Sequence, residues 1–144
     1  MRRKLIFVEA AAALWAGWFL VRAVPFRISS RFAGGETARE PDARVQVRAR
    51  GVARAIAAAT GRFGRRETCL MQAFAASLML RRRHIPSTLR LGVKREGATF
   101  AAHAWVMAAG IVVTGGGPAR EYEPLADFKG SGLPASVKSS HFDE

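Results

Sequence analysis

At His84-Ile85-Pro86 the spacing of apolar residues changes from the period of a helix to the period of a strand. The change splits the chain into a helical first part and a β second part, which excludes both an all-α and an all-β fold. Upstream, Val45, Ala49, Val52, Ala53, Ile56, Ala57 and Thr60 recur at helical spacing, with Arg44, Arg48, Arg50 and Arg54 elsewhere on the wheel. Pro41 suits the first turn of that helix, where a missing N–H costs little, and Gly61 is the expected residue just past its end. Downstream, Leu89, Leu91 and Val93 alternate with Arg90, Gly92 and Lys94, which predicts a half-buried strand. Lys94 to Ala98 is expected to turn and Thr99 to Ala108 to form a second strand. Ala109-Gly110 then makes a tight hairpin into a third strand, Ile111 to Thr114. Gly115-Gly116-Gly117-Pro118 breaks the sheet, and Glu123 to Phe128 reads as a short last strand.

The helix next to the switch carries the only cysteine of the chain, Cys69. Thr68 is a good N-cap, and an Ala, Leu, Met and Phe run follows it. A thiol in a first helical turn faces unpaired backbone N–H groups and the positive end of the helix dipole, which favour a developing negative charge. Gln72, one turn on and on the same face, is placed to donate to an oxyanion. Position alone equally fits a small buried apolar residue. The helix is expected to run to about Arg83, with Arg81-Arg82-Arg83 complementing its negative end and His84 as a left-handed cap residue.

A chain of 144 residues with 49% hydrophobic content makes one domain with a real core and excludes a disordered chain. A lone cysteine gives no disulfide scaffold, and three scattered histidines give no metal-ligand spacing. No metal or other cofactor is therefore expected. The net charge is +12 and the pI about 11.6, suited to an acidic peptide or an anionic surface. Without an aromatic-interleaved basic stripe or a zinc spacing, nucleic acid is not the expected partner. The start of the chain, Arg2-Arg3-Lys4 followed by Leu5 to Val24, resembles a signal peptide or a membrane span. Between Glu9 and Arg22, however, only twelve residues are uncharged, Ala10 to Val21, short of the roughly twenty that cross a bilayer. The expectation is a helix either buried or skimming a membrane, with Trp15, Trp18 and Phe19 as anchors, in a cytoplasmic protein. The organisation is then an N-terminal helix and connection over 1–40, a core over 41–128, and a flexible tail over 129–144.

Alternation along the second strand puts Ala101, His103, Trp105 and Met107 on one face and Ala102, Ala104 and Val106 on the other. A cysteine at a helix start with a histidine on a later strand is the arrangement a thiol nucleophile needs: the imidazole takes the thiol proton and returns it to the leaving amine. Trp105, on the same face as His103, would shield the pair from water. Spacing alone also allows a satisfied core histidine.

Thr68-Cys69-Leu70 entering a helix, Leu80-Arg81-Arg82-Arg83-His84-Ile85-Pro86-Ser87, Leu91-Gly92-Val93 and His103-Ala104-Trp105-Val106 resemble the leader peptidase of lasso-peptide maturation. That family lies within the transglutaminase-like, papain-related cysteine protease superfamily. The similarity extends to Pro25-Phe26, to Ile111 through Gly116 and to Tyr122 through Phe128, so it covers most of the chain. It implies an α+β domain in which N-terminal helices and the cysteine-bearing helix lie on a small antiparallel sheet. It also implies a peptidase of the stand-alone form that removes the leader from a ribosomally made precursor peptide. The implied partners are a PqqD-like leader-recognition protein and an asparagine-synthetase-like lasso cyclase. Cys69 carries over as nucleophile and His103 as general base and acid. Many relatives place an aspartate just after the hairpin, where this chain reads Thr114-Gly115-Gly116-Gly117. Glu121, Glu123 and Asp127 are the candidate substitutes, and Thr114 or a backbone carbonyl can also hold the imidazole. An acyltransferase on the same fold and a non-catalytic scaffold protein of the maturation complex are the alternatives.

Overall fold

The computed structural model describes residues 2–23, 42–63, 69–128 and 134–137. Three helices, α1 (Arg2–Ala23), α2 (Ala43–Phe63) and α3 (Cys69–Arg82), precede the strands β1 (Ser87–Glu96), β2 (Thr99–Ala108) and β3 (Ile111–Thr114). A single helical turn, α4 (Gly116–Ala119), leads to β4 (Glu123–Phe128) and β5 (Pro134–Val137). The strands form one antiparallel sheet in the order β3-β2-β1-β4-β5. The architecture is α+β, with the helices and the sheet sharing one core.

α3 is the centre of that core. Met71, Phe74, Met79 and Leu80 are almost wholly buried, and each such side chain stabilises the fold by about 1.5–3 kcal/mol. Ala73, Ala75 and Ala76 leave room for neighbouring elements to come close. α1 uses that room: a Cβ on Gly17 would lie 2.5 Å from the Met71 carbonyl oxygen, so only glycine fits there. Leu89 of β1 and Ala104, Val106 and Ala108 of β2 complete the core from the sheet side.

α3 ends in a Schellman motif. His84 takes φ 54°, its N–H donates to Arg81 O at 3.0 Å, and Ile85 N–H donates to Leu80 O at 2.9 Å. The expected left-handed cap at His84 is therefore present, locked by the buried Ile85. Ala109 (φ 51°) and Gly110 (φ 75°) form the expected two-residue hairpin with both residues left-handed.

Elsewhere the boundaries move. α2 passes through Gly61 to Phe63, because Gly61 stays helical instead of turning left-handed. Its buried stripe is Ala49, Val52, Ala55, Ile56 and Ala59, and Ala57 is exposed. β1 runs on through Lys94 to Glu96, leaving only Gly97 and Ala98 to turn. The glycine run after β3 contains the short α4, and Pro134–Val137 pairs with β4 where the sequence reading has a tail. Pro41, Thr68 and the rest of the tail lie outside the described residues.

α1 is long and apolar enough to cross a membrane by length and composition, a test that core helices also pass. Ala10, Ala13, Leu14 and Gly17 are buried against the other helices. Leu5, Val8, Trp15 and Phe19 are exposed, and Trp18 is half-buried with its ring edge-on to Trp15 at 5.9 Å.

Candidate active site

Cys69 is the first residue of α3 and lies half-buried at the margin of the helix core. Gln72, one turn on, is also half-buried. The thiol stands at the end of a helix whose body is otherwise enclosed. α3 lies directly against β2, the strand of His103.

His103 is 8% exposed. Ala104, Val106 and Ala108 turn into the helix core, so the alternate residues His103 and Trp105 turn to the other face of the sheet. There the imidazole stacks on Trp105, centroids 5.7 Å apart and planes 24° apart, and meets the Tyr122 ring at 5.0 Å. Trp105 is expected to shield the Cys69–His103 pair; of the two, the contact present is with the imidazole alone. The indole in turn lies over Gly92, where a Cβ would come within 2.7 Å of the ring, which explains a glycine inside a strand. Tyr122 enters the sequence reading only within the segment of resemblance, with no role at the site; an aromatic in a loop carries no sign of what it will touch.

The imidazole is held by the main chain. His103 Nε2 lies 2.8 Å from the Gly115 carbonyl oxygen. A carbonyl can only accept, so Nε2 carries the proton and, in the neutral ring, Nδ1 is left as the acceptor. That is the form a general base needs. Gly115 has φ 75°, and a Cβ there would sit 2.7 Å from Ala104 O and 3.0 Å from His103 Nε2. The residue must therefore be glycine for its carbonyl to reach the ring.

The candidate carboxylates are engaged elsewhere or exposed. Asp127 accepts two hydrogen bonds from Arg90, at 2.6 and 2.9 Å. Glu121 accepts from Lys94 at 3.0 Å, and Lys94 also pairs with Glu96 and lies over the Tyr122 ring at 4.9 Å. The Glu121 carboxylate, with Glu96 second, raises the Lys94 pKa above the ordinary lysine value. Glu123 is exposed on β4 opposite Val93. Thr114 Oγ1 is buried without a hydrogen-bond partner, so it does not orient the ring either. Among the described residues no hydrogen bond joins Cys69 to His103. The histidine's environment is therefore assembled, whereas the thiol–imidazole contact is not made.

A family model described as the transglutaminase-like superfamily matches residues 10–127. The chain belongs to the transglutaminase-like superfamily. Its members are typically cysteine-dependent enzymes. The matched span includes α1 from Ala10 onward, Cys69, Gln72, His103, Trp105 and all three candidate carboxylates. No curated protein and no solved structure matches the chain.

Proposed function

We propose that this transglutaminase-like protein is a cysteine peptidase that removes the leader from a ribosomally synthesised lasso-peptide precursor. The observation that carries the reading is the buried His103, whose Nε2 is fixed on the Gly115 carbonyl while Nδ1 remains a proton acceptor. Cys69 Sγ attacks the scissile carbonyl as its proton passes to His103, and the leader's acyl group moves to sulfur as a thioester. His103 returns the proton to the departing core-peptide amine, and water then hydrolyses the thioester to free the leader. N–H groups of the first turn of α3, with Gln72, are the donors for the tetrahedral oxyanion. The scheme needs the thiol, at the head of a helix packed on one face of the sheet, to meet an imidazole that turns to the other face, so it requires the segment around Cys69 or the His103 side chain to move when substrate binds.

The peptidase is expected to work with a leader-recognition protein and the lasso cyclase. Remote binding of the leader then positions the scissile bond. The test is cleavage of a precursor peptide, followed by mass spectrometry, with and without the leader-recognition protein. Cleavage that rises with that partner and vanishes in Cys69→Ala is the expected result. Transfer of the leader to an added amine in preference to water would replace the reading with an acyltransferase. Undiminished cleavage in Cys69→Ala would remove the thiol from the chemistry altogether.

A further inference from the structure

α1 is apolar on two opposite sides. At 3.6 residues per turn, Ala10, Ala13, Leu14 and Gly17 fall on the side that meets α2 and α3, and Leu5, Val8, Ala12, Trp15 and Phe19 fall on the other. The outer stripe repeats every three and four residues over the length of the helix. Its large members are 57–68% exposed, a concentration of apolar surface that marks a contact site rather than the scatter of a normal exterior.

The charges around the stripe select its partner. Arg2, Arg3 and Lys4 stand exposed at one end of α1 and Arg22 at the other. The single acidic residue of the helix, Glu9, is consumed by Arg83 and Arg82. A second copy docked along the stripe, in either direction, would bring cationic helix ends together. A span across the bilayer would have to strip α1 from the core, breaking the Glu9–Arg83 pair and the close approach of Gly17 to Met71. A helix lying in the plane of an anionic phospholipid surface meets neither obstacle. The stripe enters the acyl boundary, the basic ends meet headgroups, and the inner side stays on α3.

We infer that the exposed stripe of α1 docks this protein on an anionic phospholipid membrane surface. The full chain is sedimented with vesicles of phosphatidylcholine alone and of phosphatidylcholine with phosphatidylglycerol, at low and high salt. Binding at least tenfold stronger to the anionic vesicles, weakened by salt, is expected. Trp15→Ser with Phe19→Ser should reduce it at least tenfold while circular dichroism and the melting transition stay near wild type, since both side chains are exposed. If that double variant unfolds, Val8→Glu, which puts an anion in the stripe, provides the same reading. Four results would overturn the inference: no binding to the anionic vesicles, equal binding to both compositions, binding indifferent to the stripe substitutions, or binding that survives alkaline extraction as a spanning helix does. Concentration-dependent dimerisation lost in the stripe variant, without vesicle binding, would assign the surface to a second copy instead.

Discussion

Arg83 grips the Glu9 carboxylate with both terminal nitrogens, each at 2.6 Å, joining the residue that follows α3 to α1. Nη1 of the same guanidinium also donates to the Met79 carbonyl, so the pair is anchored in the turn that caps α3. Both side chains are 19% exposed, sheltered enough for the geometry to persist and for screening to be incomplete.

A pH signature follows for stability. The Arg83 hydrogen bond is the main cause that lowers the Glu9 pKa below its ordinary value of 4.5, with burial opposing it. A carboxylate depressed in the folded state contributes fully above the unfolded pKa and loses that contribution as pH falls through the folded value. Glu9→Gln is expected to cost about 2 kcal/mol at neutral pH, with the difference from wild type shrinking below pH 4.5. Urea midpoints of the two proteins from pH 7 down to 3 measure it; a constant difference would mean that the ion pair contributes nothing.

Single alanine substitutions at Glu121, Glu123 and Asp127 should leave precursor cleavage within a few-fold of wild type, because none of these carboxylates holds His103. Asp127→Ala alone should lower stability, by about 1–2 kcal/mol, since it strands the partly buried Arg90. Steady-state kinetics beside thermal melts separate the two effects. A loss of several orders of magnitude in kcat at any one position would identify a histidine-orienting acid and contradict the Gly115 assignment.

Gly115→Ala should be far more damaging than its size suggests. The left-handed backbone costs alanine about 1–3 kcal/mol, and the added methyl meets the imidazole nitrogen and the Ala104 oxygen. Cleavage is expected to fall at least a hundredfold in protein that still folds, and the imidazole resonances in an NMR spectrum should shift. Activity retained with an unchanged imidazole would show that this carbonyl does not position the ring.

The pairing of thiol and imidazole is measured most directly by alkylation. Iodoacetamide should label Cys69 readily at neutral pH, and His103→Ala should slow that labelling at least tenfold, more so with bound precursor. Superimposable rate–pH curves for the two proteins would mean that the residues do not interact.

The parts of the fold legible in the sequence are those with a local cause. Alternation fixes β1 and β2, the backbone demands of a cap fix His84, and two consecutive left-handed residues fix the turn at Ala109-Gly110. Gly61 misleads because glycine at a helix end is read as a stop, whereas here the turn continues to Phe63. The short strand β5 has too few residues for a period to register; its pairing with β4 is a tertiary fact. Within the site, residue types point to Cys69 and His103, and Trp105 follows from strand alternation. The group that holds the imidazole is not assigned in this way, because a main-chain carbonyl is present at every position and marks none of them. On α1 the chain shows an apolar helix, but only packing decides that Trp18 is sheltered while Leu5 and Val8 face outward.

The hold of Gly115 on His103 also changes how such a site can be lost. A histidine steered by an aspartate is disabled by trimming one side chain, a change that any survey of truncations will find. Here the steering oxygen belongs to the peptide bond and survives every substitution, so truncation at 115 has nothing to remove. The vulnerability is inverted: this position fails by gaining atoms. Comparisons that count carboxylates will pass over it, and a chain of this kind can look chemically incomplete while its imidazole is fully braced.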